Sequence, residues 1–314
     1  MLKELGIRNA IDCHTHSGGT DAYNYFVGNL PHTQAVSDLM FKARLAGVDK
    51  VVTFPFPGST YYNTRTLVLE GRREPSGFQD FPYQTENRVL VSDCEQFKGD
   101  IFPFACIDPN TEVHKQIDFL RELLDSGKIY GLKFHTLACG CGAEKLITSG
   151  FAEFAQGNNL PILVHSGPDA LSRPGNILEI GRQFPKLRLC VAHLAALDQE
   201  AIFEISRMGN IYIDCSPFLQ LCAAVSEGNT SVKYPNMIDP LKPASSLLRY
   251  YQLMKGNLVW GTDEPWTTSI EADGVVRSKH AYSDEVRVIE DLFGISEQAV
   301  VAITTINTQN FLFG

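Results

Sequence analysis

The stretch LPILVHS, residues 160–166, holds a nearly continuous apolar run that ends in a histidine. Two later stretches have the same design, RLCVAH at residues 188–193 and NIYIDCS at residues 210–216. A strand with one face in water alternates apolar and polar residues, whereas continuous apolarity indicates a strand covered on both faces, as in a parallel sheet. These stretches therefore favour an α/β fold.

Eight strand-like segments of this kind alternate with helical patterns along the chain, near residues 9–13, 50–55, 101–106, 130–135, 160–165, 187–193, 210–215 and 257–262. Apolar residues spaced as on one buried helix face lie between them, as in Val36, Leu39, Met40 and Ala43, or in Val113, Ile117, Leu120 and Leu124. Connections of this length are crossovers between parallel strands and not hairpins. The pattern predicts a closed (β/α)8 TIM barrel, with a doubly wound open sheet as the competing fold.

The length of the chain, 314 residues, suits such a barrel, which often exceeds about 250 residues as one unit. We predict a single domain over residues 1–314, since no internal repeat or low-complexity tract divides the chain. Two connections are unusually long, residues 56–84 after the second strand and 216–246 after the seventh. Both would emerge at the C-terminal face of the barrel, where active sites lie and long loops often form lids or substrate walls.

The composition argues against several classes of protein. A net charge of −9 without any cluster of Lys and Arg disfavours nucleic-acid binding. The N-terminus lacks the apolar segment of a signal peptide, and no stretch approaches the roughly 18 apolar residues of a membrane span. The eight cysteines are scattered, which indicates reduced, buried thiols. We therefore expect a cytoplasmic protein.

Histidines and one aspartate end several of the predicted strands. His14 and His16 end the first strand, and residues two apart in a strand point to the same face, here into the barrel. Such a pair can chelate a divalent metal, although an isolated HxH also occurs as two ordinary polar residues. His165, His193 and Asp263 end the fifth, sixth and eighth strands. Three histidines with one aspartate are a plausible ligand set for Zn²⁺.

The order of the motifs DxHxH, GLKFH, LPILVHSG, FPKLRLCVAHLA, NIYIDCS and LVWGTDEPW resembles that of the metal-dependent amidohydrolase superfamily. It is most similar to the amidohydrolase-2 branch, which includes aminocarboxymuconate-semialdehyde decarboxylase-like proteins, and it covers nearly the whole chain. The resemblance implies that His14, His16, His165 and Asp263 bind the metal, and that Asp263 also takes a proton from the bound water. It implies that His193 acts beside the metal, where it would polarise a substrate carbonyl or stabilise an oxyanion.

Lys133, in GLKFH, has two interpretations under this resemblance. In binuclear members a lysine on the fourth strand is carbamylated and bridges two ions, and His193 would then bind the second ion. In the mononuclear branch the lysine helps to position groups in the site or pairs with a charge on the substrate. We expect one ion, most simply Zn²⁺, although Mn²⁺ and Fe²⁺ also accept such ligands. His135 shares the face of Lys133 and either contacts substrate or lines the mouth of the barrel.

The resemblance implies an enzyme in which a metal-activated water attacks a C–O or C–N bond in a small lactone, ester or amide. Arginines in the long loops suggest a substrate that carries a carboxylate, namely Arg65, Arg72, Arg73 and Arg173. A non-oxidative decarboxylase of the same superfamily is the alternative. A TatD-like nuclease is disfavoured by the acidic charge, and a non-catalytic binding protein by the intact set of ligands. A homodimer is suggested only by analogy.

Other residues near these motifs have weaker interpretations. Cys139 and Cys141 form a CxC pair, which we interpret as part of a glycine-rich loop and not as a second metal site, because no further cysteine pair supports one. Glu264 and Trp266 follow Asp263 at the predicted rim, where Trp266 either walls the pocket or packs in the core.

Overall fold

The computed structural model describes residues 2–18, 33–228, 237–270 and 276–314. Its centre is an eight-stranded sheet in which each strand runs parallel to the next one along the chain. The strands are β1 Ile11–His16, β2 Lys50–Phe54, β3 Ile101–Ile107, β4 Gly131–Phe134, β5 Ile162–Val164, β6 Leu189–Val191, β7 Ile211–Asp214 and β8 Leu258–Val259. All eight predicted strands are present, and the predicted (β/α)8 barrel is confirmed.

Main-chain hydrogen bonds between the two ends of the sheet close the barrel. The N–H of Asp263 donates to the carbonyl of His14 at 2.7 Å, and the N–H of His16 donates to the carbonyl of Glu264 at 2.7 Å. The segment after β8 therefore runs beside β1, and an open doubly wound sheet is excluded. This seam sets His14, His16 and Asp263 side by side at the C-terminal mouth of the barrel.

Helices cover the outside of the barrel, and every residue of β3 to β8 is buried between them and the barrel interior. They are α1 Val36–Ala46, α2 Thr64–Glu70, α3 Gln84–Cys94, α4 Val113–Asp125, α5 Thr136–Cys139, α6 Lys145–Thr148, α7 Phe151–Gly157, α8 Pro174–Gln183, α9 Gln199–Ile205, α10 Phe218–Ser226, α11 Pro243–Met254, α12 Tyr282–Phe293, α13 Glu297–Val301 and α14 Asn307–Phe313. A hairpin of β9 Thr268–Ile270 and β10 Val276–Lys279 follows β8. No helix in the described ranges has both the length and the apolarity to cross a membrane.

The predicted helix faces are confirmed for α1 and hold in part for α4. The four apolar residues expected on the inner face of α1 are all buried. On α4 the predicted Leu120 is buried, and Val113, Ile117 and Leu124 pack partly buried against the core. The fully buried face also includes Gln116, whose amide accepts from the N–H of Asp108 at 2.9 Å and donates to its carbonyl at 2.8 Å. A pattern of apolar residues cannot reveal this buried polar side chain.

The long connection after β2 is anchored over the C-terminal face by a buried carboxylate. Glu86, on α3, accepts hydrogen bonds from the N–H of Thr60 at 2.6 Å, from the Thr60 hydroxyl at 2.7 Å and from the Gln79 amide at 3.1 Å. The connection after β7 contains α10, while residues 229–236 of it lie outside the described ranges. The first loop therefore forms a fixed wall beside the barrel mouth.

Candidate metal centre

All six site residues predicted from the sequence surround one small cavity at the C-terminal mouth of the barrel. The cavity has a volume of about 100 Å³ and is lined by His14, His16, Pro57, Lys133, His135, His165, His193, Asp263 and Trp266. These residues come from the ends of β1, β4, β5, β6 and β8, and from the loop after β2. Separate strand ends thus deliver imidazole, carboxylate and amine groups to one point.

The corner between β1 and β8 has the spacing of metal ligands. Asp263 Oδ1 lies 3.1 Å from His14 Nε2 and 3.3 Å from His16 Nε2. Four ligand atoms about 2.0–2.1 Å from a tetrahedral Zn²⁺ lie about 3.3 Å from one another. Asp263 Oδ1 is therefore at the spacing of a shared metal ion from each of the two imidazole nitrogens. Asp263 reaches this position with a left-handed backbone, φ 61°, which aspartate tolerates better than most residues.

His193 lies closer to this corner than the sequence analysis expected. Among the described residues, His14, His193 and Asp263 form the one group whose potential ligand atoms all lie within 4.8 Å of one another. His165 contacts this group through His193, with its Nδ1 3.1 Å from His193 Nε2. His165 and His193 are therefore both candidates for the position that the sequence analysis gave to His165.

Hydrogen bonds fix the tautomers of these two rings. His193 Nδ1 lies 2.7 Å from the carbonyl of Ser216, which can only accept, so Nδ1 carries a proton. Burial lowers the pKa of His193, so the ring is neutral and its Nε2 carries a lone pair. His165 Nδ1–H then donates to that lone pair. In this state His193 Nε2 is an acceptor engaged by His165, and it does not donate to an oxyanion.

An unusual backbone carries His193. His193, Leu194, Ala195, Ala196 and Leu197 all have φ between 47° and 61°, and none is glycine. A left-handed backbone costs roughly 1–2 kcal/mol per residue for L-amino acids, and such strain persists at sites that the surrounding structure over-determines. The sequence analysis missed this left-handed turn, because HLAAL has the composition of an ordinary helix.

Asp214 is a site residue that the sequence analysis also missed. It ends β7 and is fully buried, and its Oδ2 lies 2.9 Å from His14 Nδ1. Burial would raise its pKa, but His14 beside it and the Ser216 hydroxyl hold that pKa at about 2. The signal was present, since the aspartate in NIYIDCS ends an apolar strand just as the histidines do.

Lys133 lies at the wall of the same cavity. The residue is only 2% exposed, its Nζ is 3.2 Å from His14 Nε2, and it lies 4.5 Å from the centre of the Phe54 ring. Burial lowers the pKa of Lys133, against the opposing effect of Asp263 and Asp214. An amine at this point can interact with a substrate.

His135 and Trp266 form walls of the cavity. The rings of His135 and His165 are stacked, with centroids 3.9 Å apart, and His135 Nδ1 accepts from the N–H of Ala138 at 3.3 Å. Trp266 lies with its ring 6.0 Å from that of His16. Glu264 instead turns away from the rim and pairs with Lys42.

The arginines suggested as carboxylate ligands are not part of the cavity, so that prediction is wrong. Arg73 donates to the carbonyls of Ala138 at 2.7 Å and Leu137 at 3.1 Å, which ties the loop after β2 to α5. Arg72 pairs on the surface with glutamates of its own loop. Arg65 and Arg173 are exposed and do not line the cavity.

The CxC pair is buried at the end of α5. Cys139 and Cys141 are both free thiols, and the Cys139 thiol donates to the carbonyl of Ile107 at 3.4 Å. Burial raises the pKa of both thiols. Cys139 is the last residue of α5 and Cys141 follows Gly140, so only Cys141 lies in a loop as predicted.

Comparison with known proteins gives a likeness in structure and none in sequence. Neither a known protein-family profile nor a curated protein sequence matches the chain. A probable 2-pyrone-4,6-dicarboxylic acid hydrolase from Acinetobacter baumannii, solved with citric acid, matches with a TM-score of 0.60 at 14% identity over 97% of this chain and 99% of that one. The 5-carboxyvanillate decarboxylase of Sphingomonas paucimobilis matches with a TM-score of 0.63 at 10% identity, over 97% and 98%.

A third structure is 5-carboxyvanillate decarboxylase from Novosphingobium aromaticivorans with manganese and 4-hydroxy-3-methoxy-5-nitrobenzoic acid. It has a TM-score of 0.60 at 10% identity, over 98% of this chain and 97% of that one. The chain thus has the (β/α)8 fold of hydrolases and decarboxylases from the group that its motifs resemble. The resemblance inferred from the sequence is confirmed at the level of the fold.

Proposed function

We propose that the protein is a metal-dependent hydrolase that uses a metal-activated water on a C–O or C–N bond of a small lactone, ester or amide. The observation that carries the proposal is the group of His14, His193 and Asp263, whose potential ligand atoms all lie within 4.8 Å of one another. His16 Nε2 lies beside this group, 3.3 Å from Asp263 Oδ1. Their place at the C-terminal mouth of the barrel supports it, since barrel active sites lie there. Structures of the same fold, one described as a hydrolase and one holding manganese, also support it.

When bound, a divalent ion would supply a Lewis acid and bring the pKa of its water down to about 7. Burial alone would raise the pKa of Asp263, but His14 and His16 beside it hold that pKa well below its usual value. Asp263 is therefore ionised and can accept the proton of the attacking water. His193 offers a second acceptor at Nε2 and, once protonated, can donate a hydrogen bond to the leaving group.

The size and lining of the cavity favour a small substrate fragment with a negative or polar group. Lys133 is the one lysine or arginine that lines it among the described residues. We therefore propose that Lys133, and not an arginine, faces a substrate carboxylate or carbonyl. Zn²⁺ suits the His and Asp donors, with Mn²⁺ and Fe²⁺ as alternatives. We propose one ion, with a pair bridged by a carbamylated Lys133 as the alternative.

A non-oxidative decarboxylase is the second candidate, and the two decarboxylase structures of the same fold favour it. The same donor groups would then orient an acid whose carboxylate leaves as CO₂. Hydrolysis and decarboxylation differ in product, because only decarboxylation releases CO₂ and leaves every C–O and C–N bond of the remainder intact.

The test is metal analysis of the purified protein, followed by a screen of carboxylated lactones, esters and amides and of aromatic acids. We expect about one equivalent of a divalent metal per chain and hydrolytic turnover that a chelator abolishes. Release of CO₂ from an aromatic acid without hydrolysis would establish the decarboxylase. Absence of both metal and turnover would instead indicate a binding protein on this barrel.

A further inference from the structure

We propose that Asp214 is the positioning carboxylate of this centre, which sets the tautomer of His14 and holds the backbone that carries His193. The inference rests on the proposed metal function and adds a residue that the motif comparison did not assign. Asp214 acts through other side chains, so its role is tested by the tautomer of His14 and by metal affinity, and not by contact with substrate.

The first oxygen of Asp214 acts on His14. Asp214 Oδ2 lies 2.9 Å from His14 Nδ1, and both side chains are fully buried. A carboxylate can only accept, so Nδ1 must carry a proton. His14 Nε2, the atom 3.1 Å from Asp263, therefore presents the lone pair that a metal requires. Carboxylates that orient metal-binding imidazoles in this way are a general feature of metal centres.

The second oxygen acts on the segment that holds His193. Asp214 Oδ1 accepts from the N–H of His193 at 3.1 Å, from the N–H of Ser216 at 2.9 Å and from the Ser216 hydroxyl at 2.6 Å. His193 is the first residue of the left-handed turn, and its ring donates to the carbonyl of Ser216 at 2.7 Å. One buried carboxylate thus fixes both the His14 ring and the start of the strained backbone.

This arrangement predicts a specific effect of Asp214→Asn, which has nearly the same shape. The two main-chain N–H groups at Oδ1 cannot be reversed, so the amide oxygen must remain there. The amide NH₂ then takes the place of Oδ2 and points at His14 Nδ1. His14 Nδ1 also lies 3.0 Å from the Ser216 hydroxyl, but an NH₂ group in the place of Oδ2 can only donate and would face Nδ1–H donor to donor. This opposition favours the tautomer with the proton on Nε2, which removes the lone pair for the metal.

The experiment compares the parent protein with Asp214→Asn by ¹⁵N-histidine NMR on metal-free samples and by Zn²⁺ titration against a chelator. The His14 signal is assigned by its loss in His14→Gln. We expect a protonated Nδ1 in the parent and a bare Nδ1 in Asp214→Asn, with Zn²⁺ affinity lowered about 10–100-fold, as for other such partners.

Asp12→Asn is the matched control. Asp12 is also fully buried and binds Thr262 Oγ1 at 2.7 Å and the N–H of His14 at 3.1 Å, but these contacts do not involve an imidazole ring. This variant should leave Nδ1 of His14 protonated. The contrast separates control of the tautomer from a general effect of replacing a buried carboxyl group.

A protonated Nδ1 in Asp214→Asn together with unchanged Zn²⁺ affinity would overturn the proposal. Equal losses of affinity in both variants without a change of tautomer would do the same, because Asp214 would then act only through the fold. If Asp214→Asn does not fold, a bare Nδ1 in the parent protein still overturns it. Failure of the proposed function gives a different result from failure of this proposal, because the parent protein would then bind no divalent metal.

Discussion

A fully buried glutamate on α12 makes stability depend on pH. Burial raises the pKa of Glu285 to about 8, although the N–H groups of Leu219 and Phe218 donate to its carboxylate. Its Oε2 has no hydrogen-bond partner among the residues that the structure describes. In an unfolded chain the ordinary pKa is 4.5, so between pH 4.5 and 8 folding takes up a proton at this position. A raised acid pKa therefore lowers stability as the pH rises through that window.

We predict that Glu285→Gln stabilises the protein at pH 7 by roughly 3 kcal/mol and has little effect below pH 4.5. Each pH unit between the unfolded and folded pKa is worth about 1.4 kcal/mol, and pH 7 lies about two and a half units above the unfolded pKa of 4.5. Below that pH the carboxyl is protonated in both states, so the neutral amide removes no charge.

The measurement is urea unfolding of metal-free protein, monitored by tryptophan fluorescence at several pH values between about 5 and 8. Glu122→Gln, at an exposed position of α4, is the control, because an exposed carboxylate remains hydrated in both the folded and the unfolded protein. The stability gap between Glu285→Gln and the parent protein should widen with pH. A gap that stays constant across this range would refute a neutral Glu285.

Five further substitutions test the centre and its frame. His14→Ala should lower both metal content, measured by metal analysis, and turnover, measured as a rate. Asp263→Asn should keep most of the metal and lose about 10²–10⁴-fold in turnover. Full activity of Asp263→Asn would show that Asp263 is not the proton acceptor. Arg73→Met should lower the urea midpoint but leave KM for a carboxylated substrate unchanged, and a large rise in KM would restore it as a substrate ligand. In thermal unfolding, Ala196→Val should destabilise the protein by more than about 1–2 kcal/mol, because a β-branched residue tolerates the left-handed backbone poorly, and Ala196→Gly should not. Equal effects of the two variants would argue against backbone strain at this turn.

The sequence contained the barrel and most of the candidate centre because both follow local rules. Continuous apolar runs mark strands that are covered on both faces, and a polar residue at the end of such a run must point into the mouth. This logic located His165, His193 and Asp263 from separate short stretches. The predictions of a single domain, a cytoplasmic location, a homodimer and the identity of the metal stay predictions.

The parts that the sequence did not predict depend on contacts between distant segments. Asp214 becomes informative only when β7 is placed beside β1, because its partner is His14 and not a neighbour in sequence. The left-handed turn begins at His193, whose main chain and ring bind Asp214 and Ser216 on β7 and just after it, and its alanines favour an ordinary helix. Arg73 was expected to bind substrate because it lies in a long loop. Its actual partners are main-chain carbonyls of α5, and every residue type offers such a carbonyl, so the sequence does not reveal them.

The seam between β1 and β8 has a consequence for the life of the chain. His14 is synthesised before Asp263, yet the two side chains share one corner of the centre. A nascent or truncated chain that lacks β8 and Asp263 holds the imidazoles without their carboxylate. The full ligand set should therefore form only after the segment that follows β8 has paired with β1.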